Sequence, residues 1–560
     1  MSSPALLLIF GALALPLLRG RVRQAWMLAL PLAGLALLWS APEGPAGSFE
    51  LFGLALQPMR VDALSRLFAT AFHVAALLGV IYALHLRKAT QQMAILAYAG
   101  AAIGAVLAGD LLTLLVFWEL AGLSSVVLIW ARGSERSLRA GQRYLVAQVV
   151  SGLLMLAGIA LRVHEGHGIA FGDIGLHGPA GALILLAVGI KGAFPVLHAW
   201  IRDTYPEATI VGGVVLSAFT TKLAIYVLAR GYAGTELLVW IGAVMTCFPI
   251  FYAVIENDLR RVLTYSMINQ LGFMVVGIGI GGALGVNGAA AHAFADILFK
   301  GLLFMALGAV LLRVGTVNGS ELGGLYKSMP QTAALCIVGA ASISAFPLFS
   351  AFATKSMIIA AAAEEHRTAL WLMLLFASAG VFHHAGIKIP YFAFFAHDRG
   401  HRVREAPLNM RVAMGLAAAA SMAIGLAPGW LYAMLPYDVD YVPFTAPHVI
   451  NQLQLLLLAS LAFTLLIRTG LYPPELRSVN LDFDVVYRKL TPGLWHAAEG
   501  GMLRLREEVG RPLQSRAEGV FAVVVRPLRP RGWLAEPWTT GAMVWWVTLV
   551  LGLVLVLSVW

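Results

Sequence analysis

Apolar stretches long enough to cross a lipid bilayer recur along almost the whole chain. About sixteen of them reach the roughly 20 residues that a membrane-spanning helix requires. Of the 560 residues, 59% are hydrophobic and only 12% are charged, and the mean hydropathy is +0.80. Helices satisfy their own backbone groups in lipid, whereas irregular chain does not. The sequence therefore predicts an all-α polytopic membrane protein.

Short polar breaks separate the predicted spans. The first span is not followed by the cleavage site and polar chain that would mark a removed signal peptide. We predict spans at residues 3–19, 24–40, 63–86, 92–108, 110–131, 143–163, 180–202, 209–230, 236–256, 261–281, 286–312, 332–362, 369–395, 409–430, 450–468 and 539–559.

Lysine and arginine are concentrated in every second loop between these spans. Arg87 and Lys88 follow the third span, and Arg260 and Arg261 follow the ninth, whereas residues 164–179 contain no lysine or arginine. The positive-inside rule puts the basic loops in the cytoplasm and the N-terminus outside. Because the basic residues are dispersed among short loops, nucleic acid is not expected as a partner.

The sequence offers no cofactor or metal site. Cys247 and Cys336 are the only cysteines, and both lie within apolar runs. They are too few for an iron–sulfur or zinc site. A glycine pattern at residues 277–282 resembles a dinucleotide-binding loop but lies at the end of an apolar span, without a preceding strand. We expect no redox site of its own in this chain.

Two predicted spans carry the same tripeptide at mid-span, Ala193–Pro195 in the seventh and Ala345–Pro347 in the twelfth. Proline interrupts a helix, and at membrane depth the freed carbonyls are tolerated only against protein or a polar cavity. The two spans are five apart and so have opposite topology. This pattern predicts inverted repeats with broken helices around an ion site. Two ordinary proline kinks are the alternative.

Several charged side chains lie inside the predicted spans. Each costs roughly 2.5–3.5 kcal/mol near the bilayer centre on insertion scales, so such residues usually have a function. A buried pair with a purely structural role is the alternative. Lys388 lies nearer a span end, and we expect it to reach toward the interface. The candidates for an ion path are Glu119, Lys191, Lys222, Lys300 and Lys355.

The eleventh span adds two more titratable groups. His292, Asp296 and Lys300 follow one another at intervals of four residues. That spacing aligns them on one helix face over ~12 Å at 1.5 Å per residue. We predict that this stripe carries protons, although a single histidine in such a span is more often a core residue.

Longer strings occur in a recognisable order. They include Phe117-Trp118-Glu119-Leu120, the run from Lys191 to Trp200, Thr221-Lys222 and the run from His292 to Lys300. Through these strings residues 60–400 resemble the antiporter-like subunits shared by Mrp-type cation/proton antiporters and respiratory complex I. Within that superfamily the chain is most similar to the D-type subunit of the Mrp antiporter.

The resemblance implies about fourteen core helices with two inverted five-helix repeats. It also implies a Glu119–Lys191 pair, central lysines Lys222 and Lys300, and an exit-side lysine, Lys355. Asp296 stands where complex I relatives commonly have a second histidine. The family's function would make the chain a proton-translocating subunit of a multisubunit sodium/proton antiporter, with other membrane subunits as partners.

Two other functions stay open. One is a proton-pumping membrane-arm subunit of a quinone-linked NADH dehydrogenase or hydrogenase-like complex. The other is a membrane partner in an inorganic-carbon uptake complex. The predicted parts are N-terminal helices (1–90), a first repeat (91–232), a second repeat (233–397), C-terminal core helices (398–470), a linker with an amphipathic segment near Met502–Val509 (471–538) and a final anchor (539–560). The extension is similar to the tail of the distal complex I subunit, or is a simple surface linker and anchor.

Overall fold

The computed structural model describes residues 3–51, 53–476, 480–486, 493, 499–500 and 544–550. The chain up to Asn480 is one unit, and the chain from Leu481 is another. The amphipathic segment predicted near Met502–Val509 and most of the final predicted span lie outside the described residues; residues 544–550 are helical.

Helices form most of the first unit. Those of the N-terminal half are α1 (Pro4–Leu13), α2 (Gly20–Ser40), α3 (Ala63–Ala83), α4 (Ala89–Leu107), α5 (Leu111–Trp130), α6 (Glu135–His164), α7 (Pro179–Lys191), α8 (Ala199–Thr204), α9 (Ile210–Ala218) and α10 (Thr220–Gly231). The following helices are α11 (Glu236–Ile255), α12 (Leu259–Ile280), α13 (Gly282–Val314), α14 (Pro330–Ile343), α15 (Ser350–Glu364), α16 (Thr368–Val381), α17 (Leu408–Leu426), α18 (Gly429–Tyr432) and α19 (Ala446–Arg468).

The predicted all-α polytopic membrane fold is confirmed. Twelve candidate spans in the described part are long and apolar enough to cross a membrane. Three shorter apolar helical segments, Pro4–Leu17, Pro179–Lys191 and Pro330–Ile343, accompany them. Together these elements account for every span that the sequence predicted before residue 470.

Short strands, which the sequence analysis missed, lie between α2 and α3. Strand β1 (Gly44–Pro45) pairs antiparallel with β4 (Arg60–Val61), and β2 (Phe49–Leu51) pairs antiparallel with β3 (Leu54–Leu56). Two or three residues per strand give no detectable alternation of polar and apolar positions, so the pattern could not reveal them.

The seventh and twelfth spans are both broken at the Ala-Phe-Pro tripeptide. α7 ends at Lys191 before α8 begins at Ala199, and α14 ends at Ile343 before α15 begins at Ser350. Both breaks contain two non-glycine residues with left-handed backbone, namely Ala193 (φ 58°) and Val196 (φ 74°) in the first and Ala345 (φ 55°) and Leu348 (φ 76°) in the second.

Backbone hydrogen bonds inside the two breaks also correspond. The Phe194 amide donates to the Gly189 carbonyl at 2.9 Å, as the Phe346 amide donates to the Ala341 carbonyl at 3.1 Å. A left-handed residue with a Cβ costs roughly 1–2 kcal/mol, so unrelated kinks would not be expected to repeat this geometry. The matched breaks support the predicted repeat over two ordinary proline kinks; the number of helices in each repeat stays a prediction.

Helices α11 and α12 pack with their backbones in close contact. A Cβ built at Gly272 would lie 2.6 Å from the Thr246 nitrogen and 2.8 Å from the Gly242 oxygen. A Cβ at Gly242 would lie 2.6 Å from the Val276 nitrogen. Small residues allow membrane helices to approach this closely. The contact fixes α12, which carries several polar residues of the site described below.

We predict that Gly272→Ala lowers the stability of the protein by roughly 1–3 kcal/mol, because the new methyl group meets backbone atoms that cannot move aside. Gly415→Ala is the control, since nothing lies within 4 Å of a Cβ built at Gly415 in α17. That change should raise stability by roughly 0.5–1 kcal/mol through the lost freedom of the unfolded chain. Thermal unfolding in detergent measures both, and equal midpoints for the two variants would contradict the proposed contact.

Candidate functional site

Lys191 is the last residue of α7, at the edge of the first break, and is fully buried. Its ammonium donates to the Trp118 carbonyl of α5 at 2.6 Å and lies 4.2 Å from the centre of the Trp118 ring. The indole N–H donates to Ser151 Oγ at 3.0 Å, and Ser151 donates to the Ala187 carbonyl at 2.7 Å. A fixed carbonyl and a fixed aromatic face therefore stabilise the charge of Lys191.

Glu119 does not make the direct contact with Lys191 that the resemblance implied. Among the described residues its Oε1 has no hydrogen-bond partner, although the two charges interact electrostatically. The carboxylate lies against α6, where a Cβ built at Gly152 would overlap Oε1. Gly152 thus leaves the space that the carboxylate fills, and the predicted pair is two neighbouring charges that stand apart.

An ion pair between Lys222 of α10 and Asp296 of α13 lies at the centre of the site. Lys222 Nζ is 2.5 Å from Asp296 Oδ2, and both side chains are fully buried. Lys222 also donates to the Ser217 carbonyl at 2.9 Å. That carbonyl is available because the helix is interrupted at Phe219, between α9 and α10. The ion pair connects the predicted first repeat with the second.

The other two residues of the predicted stripe have partners on different helices. Lys300 donates to Ser266 Oγ of α12 at 2.8 Å. His292 Nδ1 lies 3.1 Å from Thr354 Oγ1 of α15, and Nε2 lies 3.0 Å from Gln270 Oε1 of α12. In the described part of the chain no hydrogen bond joins one stripe residue to another. A proton moving along the stripe therefore needs water or side-chain motion between them.

Two amides that the sequence analysis missed extend this network to α11. Gln270 Nε2 donates to Asn269 Oδ1 at 2.7 Å, and Asn269 Nδ2 donates to the Thr246 carbonyl at 2.5 Å. Gln270 presents its oxygen to His292, so a proton on Nε2 of the imidazole would complete a hydrogen bond between them. Adjacent Asn and Gln residues inside an apolar span were the signal that could have identified them.

Lys355 borders a cavity of about 620 Å³ between α15, α16 and α19. Its ammonium donates to the Ile343 carbonyl at 3.3 Å, at the edge of the second break, and lies 5.4 Å from the Phe273 ring centre. His448 and Gln452 of α19 line the same cavity. Lys355 therefore joins the second helix break to a space that can hold water.

Lys388 does not reach toward an interface, as the sequence predicted, but is fully buried. Its ammonium lies 2.8 Å from Glu475 Oε1. It also donates to the carbonyls of Ala253, Val254 and Glu256 at 3.2, 2.7 and 2.7 Å. Carbonyls at the C-terminal end of α11 accept these hydrogen bonds, so the Lys388 ammonium does not need to reach water.

The buried amines, imidazole and carboxylates are groups that can hold and transfer protons. Within the described ranges, no group of three or more His, Cys, Asp or Glu side chains is placed to hold a metal ion.

The predicted site residues lie in a part of the chain that matches a known protein family. The family model for the transmembrane region of NADH:quinone oxidoreductase and Mrp antiporters matches residues 108–382. Residues 108–382 are therefore similar to the antiporter-like subunits of this superfamily. The matched range contains every predicted site residue from Glu119 to Lys355.

Curated relatives come from several kinds of membrane complex. The probable A/B-type subunit of a K⁺/H⁺ antiporter from Rhizobium meliloti is 30% identical over 55% of this chain and 33% of its own length. Hydrogenase-4 component B of Escherichia coli is 29% identical over 57% and 53% of the two chains. The D-type subunit of a Na⁺/H⁺ antiporter from Bacillus subtilis is 26% identical over 59% and 71%. The matched region thus spans about a third to a half of the first two relatives.

The fold is also similar to that of a solved complex. A chain of the Mrp complex from Dietzia sp. superposes with a TM-score of 0.78 at 23% identity. The match covers 95% of this chain and 64% of that chain. It supports the fold of an antiporter-like subunit.

We predict that Asp296→Asn destabilises the protein by roughly 3–5 kcal/mol, because it leaves Lys222 as an unpaired buried charge. The double variant Lys222→Met, Asp296→Leu should recover most of that loss, since it removes both charges. Thermal unfolding in detergent measures the three proteins. If the single and double variants are equally unstable, the Lys222–Asp296 ion pair does not account for the stability of the site.

Proposed function

We propose that the chain is a proton-translocating subunit of a multisubunit sodium/proton antiporter. The buried Lys222–Asp296 ion pair carries this proposal. A pair with only a structural role could be replaced by apolar side chains at little or no cost in stability, so its presence favours a function. Lys191, Lys300 and Lys355, also buried, supply further sites at which a proton can be held.

Asp296 acts as a counter-ion shared by two lysines. A buried amine favours its neutral form, and a nearby carboxylate favours the ammonium. In this structure Asp296 is the counter-ion of Lys222, at 2.5 Å. Asp296 also acts electrostatically on Lys300, one turn further along α13. When the carboxylate turns toward Lys300, Lys222 loses its counter-ion and releases a proton. Lys300 then gains the counter-ion and takes up a proton.

Glu119 controls Lys191 in the same manner. In this structure the carboxylate lies over Gly152 and the ammonium of Lys191 is bound to the Trp118 carbonyl. Movement of Glu119 toward Lys191 would favour the ammonium, and movement away would favour proton release toward Lys222. At the other end of the path, Lys355 passes protons to the cavity that it borders.

A redox-driven proton pump is the second candidate. The similarity to hydrogenase-4 component B favours it, because that protein belongs by name to a redox enzyme rather than to an antiporter. The same buried groups would then move protons, and another subunit would supply the electrons.

We also propose a location in the cell membrane with the N-terminus outside, and other membrane subunits as partners. The alternation of basic loops supports the orientation. Relatives named as subunits support the partners. The six predicted parts of the chain, including the anchor at 539–560, belong to the same proposal.

Purification of the native complex would decide between the two candidates. Companion subunits of the antiporter type, together with sodium-dependent proton flux in everted vesicles, would support the first. Flavin- or iron–sulfur-bearing companions, with proton flux driven by a redox substrate instead of sodium, would overturn it in favour of the second.

We predict that Lys300→Ala lowers proton flux per assembled complex by roughly 100-fold or more, because a group that holds the proton is lost. His292→Ala should slow transport or shift its pH optimum. The control is Lys327→Ala, which removes a lysine whose side chain is 47% exposed. Flux in everted vesicles, normalised to intact complex on a native gel, measures all three. Normal flux in Lys300→Ala would contradict the path.

We predict that Glu119→Ala and Lys191→Ala each abolish flux without loss of assembly. Gly152→Ala should also impair it, since the added methyl group displaces the Glu119 carboxylate from its position. The displaced group is the end of a flexible side chain, so folding should tolerate the change. Glu135→Ala, at a side chain 80% exposed, is the control. Unchanged flux in Glu119→Ala and Gly152→Ala would exclude a role for this carboxylate.

A further inference from the structure

The thirteenth span loses α-helical geometry beyond α16. π-helical turns follow at Phe382–Lys388 and Tyr391–Phe395. π-helical turns are rare in proteins, and those that occur are often found at functional sites. The first turn carries His383, His384 and Lys388, which lie just past the range that the family model matches. The path proposed above uses none of the three.

His384 is fully buried; the Gly380 backbone, one turn earlier, acts on the ring, but neither ring nitrogen makes a hydrogen bond of ordinary geometry in the described part of the chain. Lys300 and Lys388 both act on it electrostatically, and Lys388 lies four residues further along the same π-helical turn. A buried imidazole is costly without partners, so both nitrogens require water or a transient partner. An imidazole can accept a proton at one ring nitrogen and donate a proton from the other.

Lys388, at the end of the first π-helical turn, and Glu475, beyond α19, lie together near the basic loops. Three carbonyls at the end of α11 fix the Lys388 ammonium, which in turn holds the Glu475 carboxylate at 2.8 Å. A Cβ built at Gly319 would lie 3.4 Å from Glu475 Oε2, so the loop after α13 packs beside the carboxylate. Arg260, Arg261 and Arg313 place these loops on the basic face.

Glu475 follows the end of α19, outside the spans. Burial raises the pKa of its carboxyl above the ordinary value, although Lys388 lowers it. Glu475 therefore takes up a proton more readily than an exposed carboxylate does.

We infer that Glu475 and His384 form a proton uptake route from the basic face to Lys300, with Lys388 as a positioning residue. The inference rests on the proposed function. Glu475 takes a proton from water at the basic face and passes it, through water, to one ring nitrogen of His384. The proton on the other ring nitrogen then moves to the unprotonated amine of Lys300. One N–H or O–H bond breaks and one forms at each transfer. Glu475 returns to its carboxylate, and His384, which now carries its proton on the opposite ring nitrogen, regains its starting tautomer by rotation of the ring or by proton exchange with water.

The test compares His384→Gln with His383→Gln in vesicles containing the full complex. Glutamine keeps a polar side chain but does not take up a proton, so flux per assembled complex should fall about tenfold or more in His384→Gln. His383 lies instead among aromatic rings, 5.1 Å from Phe463 and 5.7 Å from Tyr472, and its variant should transport normally. Equal flux in wild type and His384→Gln would overturn the route.

Glu475→Gln supplies the second variant, for the case that His384→Gln does not assemble. Its fold should persist, because the three carbonyls still hold Lys388. We expect slower proton uptake from the basic face and little change in thermal stability; normal uptake would overturn the route. If the wild-type complex moves no protons under either a sodium gradient or a redox substrate, the proposed function fails and this route fails with it. If the wild-type complex moves protons and both variants move them equally fast, the proposed function stands and only the uptake route is wrong.

Discussion

The membrane interior offers no bulk water to a buried charge, and protein oxygen atoms take its place at each of the five buried lysines described above. Lys222 binds the Ser217 carbonyl at the end of α9, Lys355 binds the Ile343 carbonyl at the end of α14, and Lys388 binds carbonyls at the end of α11. These carbonyls are available because a helix stops beside them, whereas the Trp118 carbonyl that Lys191 binds lies within α5. Helix interruptions therefore supply the acceptors for three of the five buried amines.

The nature of the partner separates the lysines into two groups. Lys191, Lys300 and Lys355 bind neutral oxygens, so they can become neutral without leaving a buried anion behind. Lys222 and Lys388 each face a carboxylate, Asp296 and Glu475, which favours the ammonium. The second group thus has an ionic partner that the first group lacks. Proton transfer past Lys222 consequently requires Asp296 to move, whereas Lys388 is better suited to fixing its neighbour in place.

The two matched breaks have different surroundings. Lys191 ends the helix before the first break, and its neighbours are Trp118 and Glu119 of α5. In the second break Ile343 takes the equivalent place, and the lysine comes after the break, at Lys355 beside a cavity. The same backbone geometry thus places an amine against the Trp118 carbonyl and ring, with a carboxylate nearby, in one half, and beside a space that can hold water in the other. Two breaks with different surroundings can make proton movement along the path directional.

The sequence by itself determined the spans before residue 470, both helix breaks and the alignment of His292, Asp296 and Lys300, because these follow from apolar length, proline chemistry and helical period. The partners were decided by the tertiary structure. Asp296 meets Lys222, Glu119 lies over Gly152 instead of contacting Lys191, and Lys388 is buried against Glu475 from a segment beyond α19. Such contacts depend on the rotation and approach of helices that are distant in the chain. Packing sets both, through close contacts such as that between Gly242 and Gly272, and no local pattern encodes them.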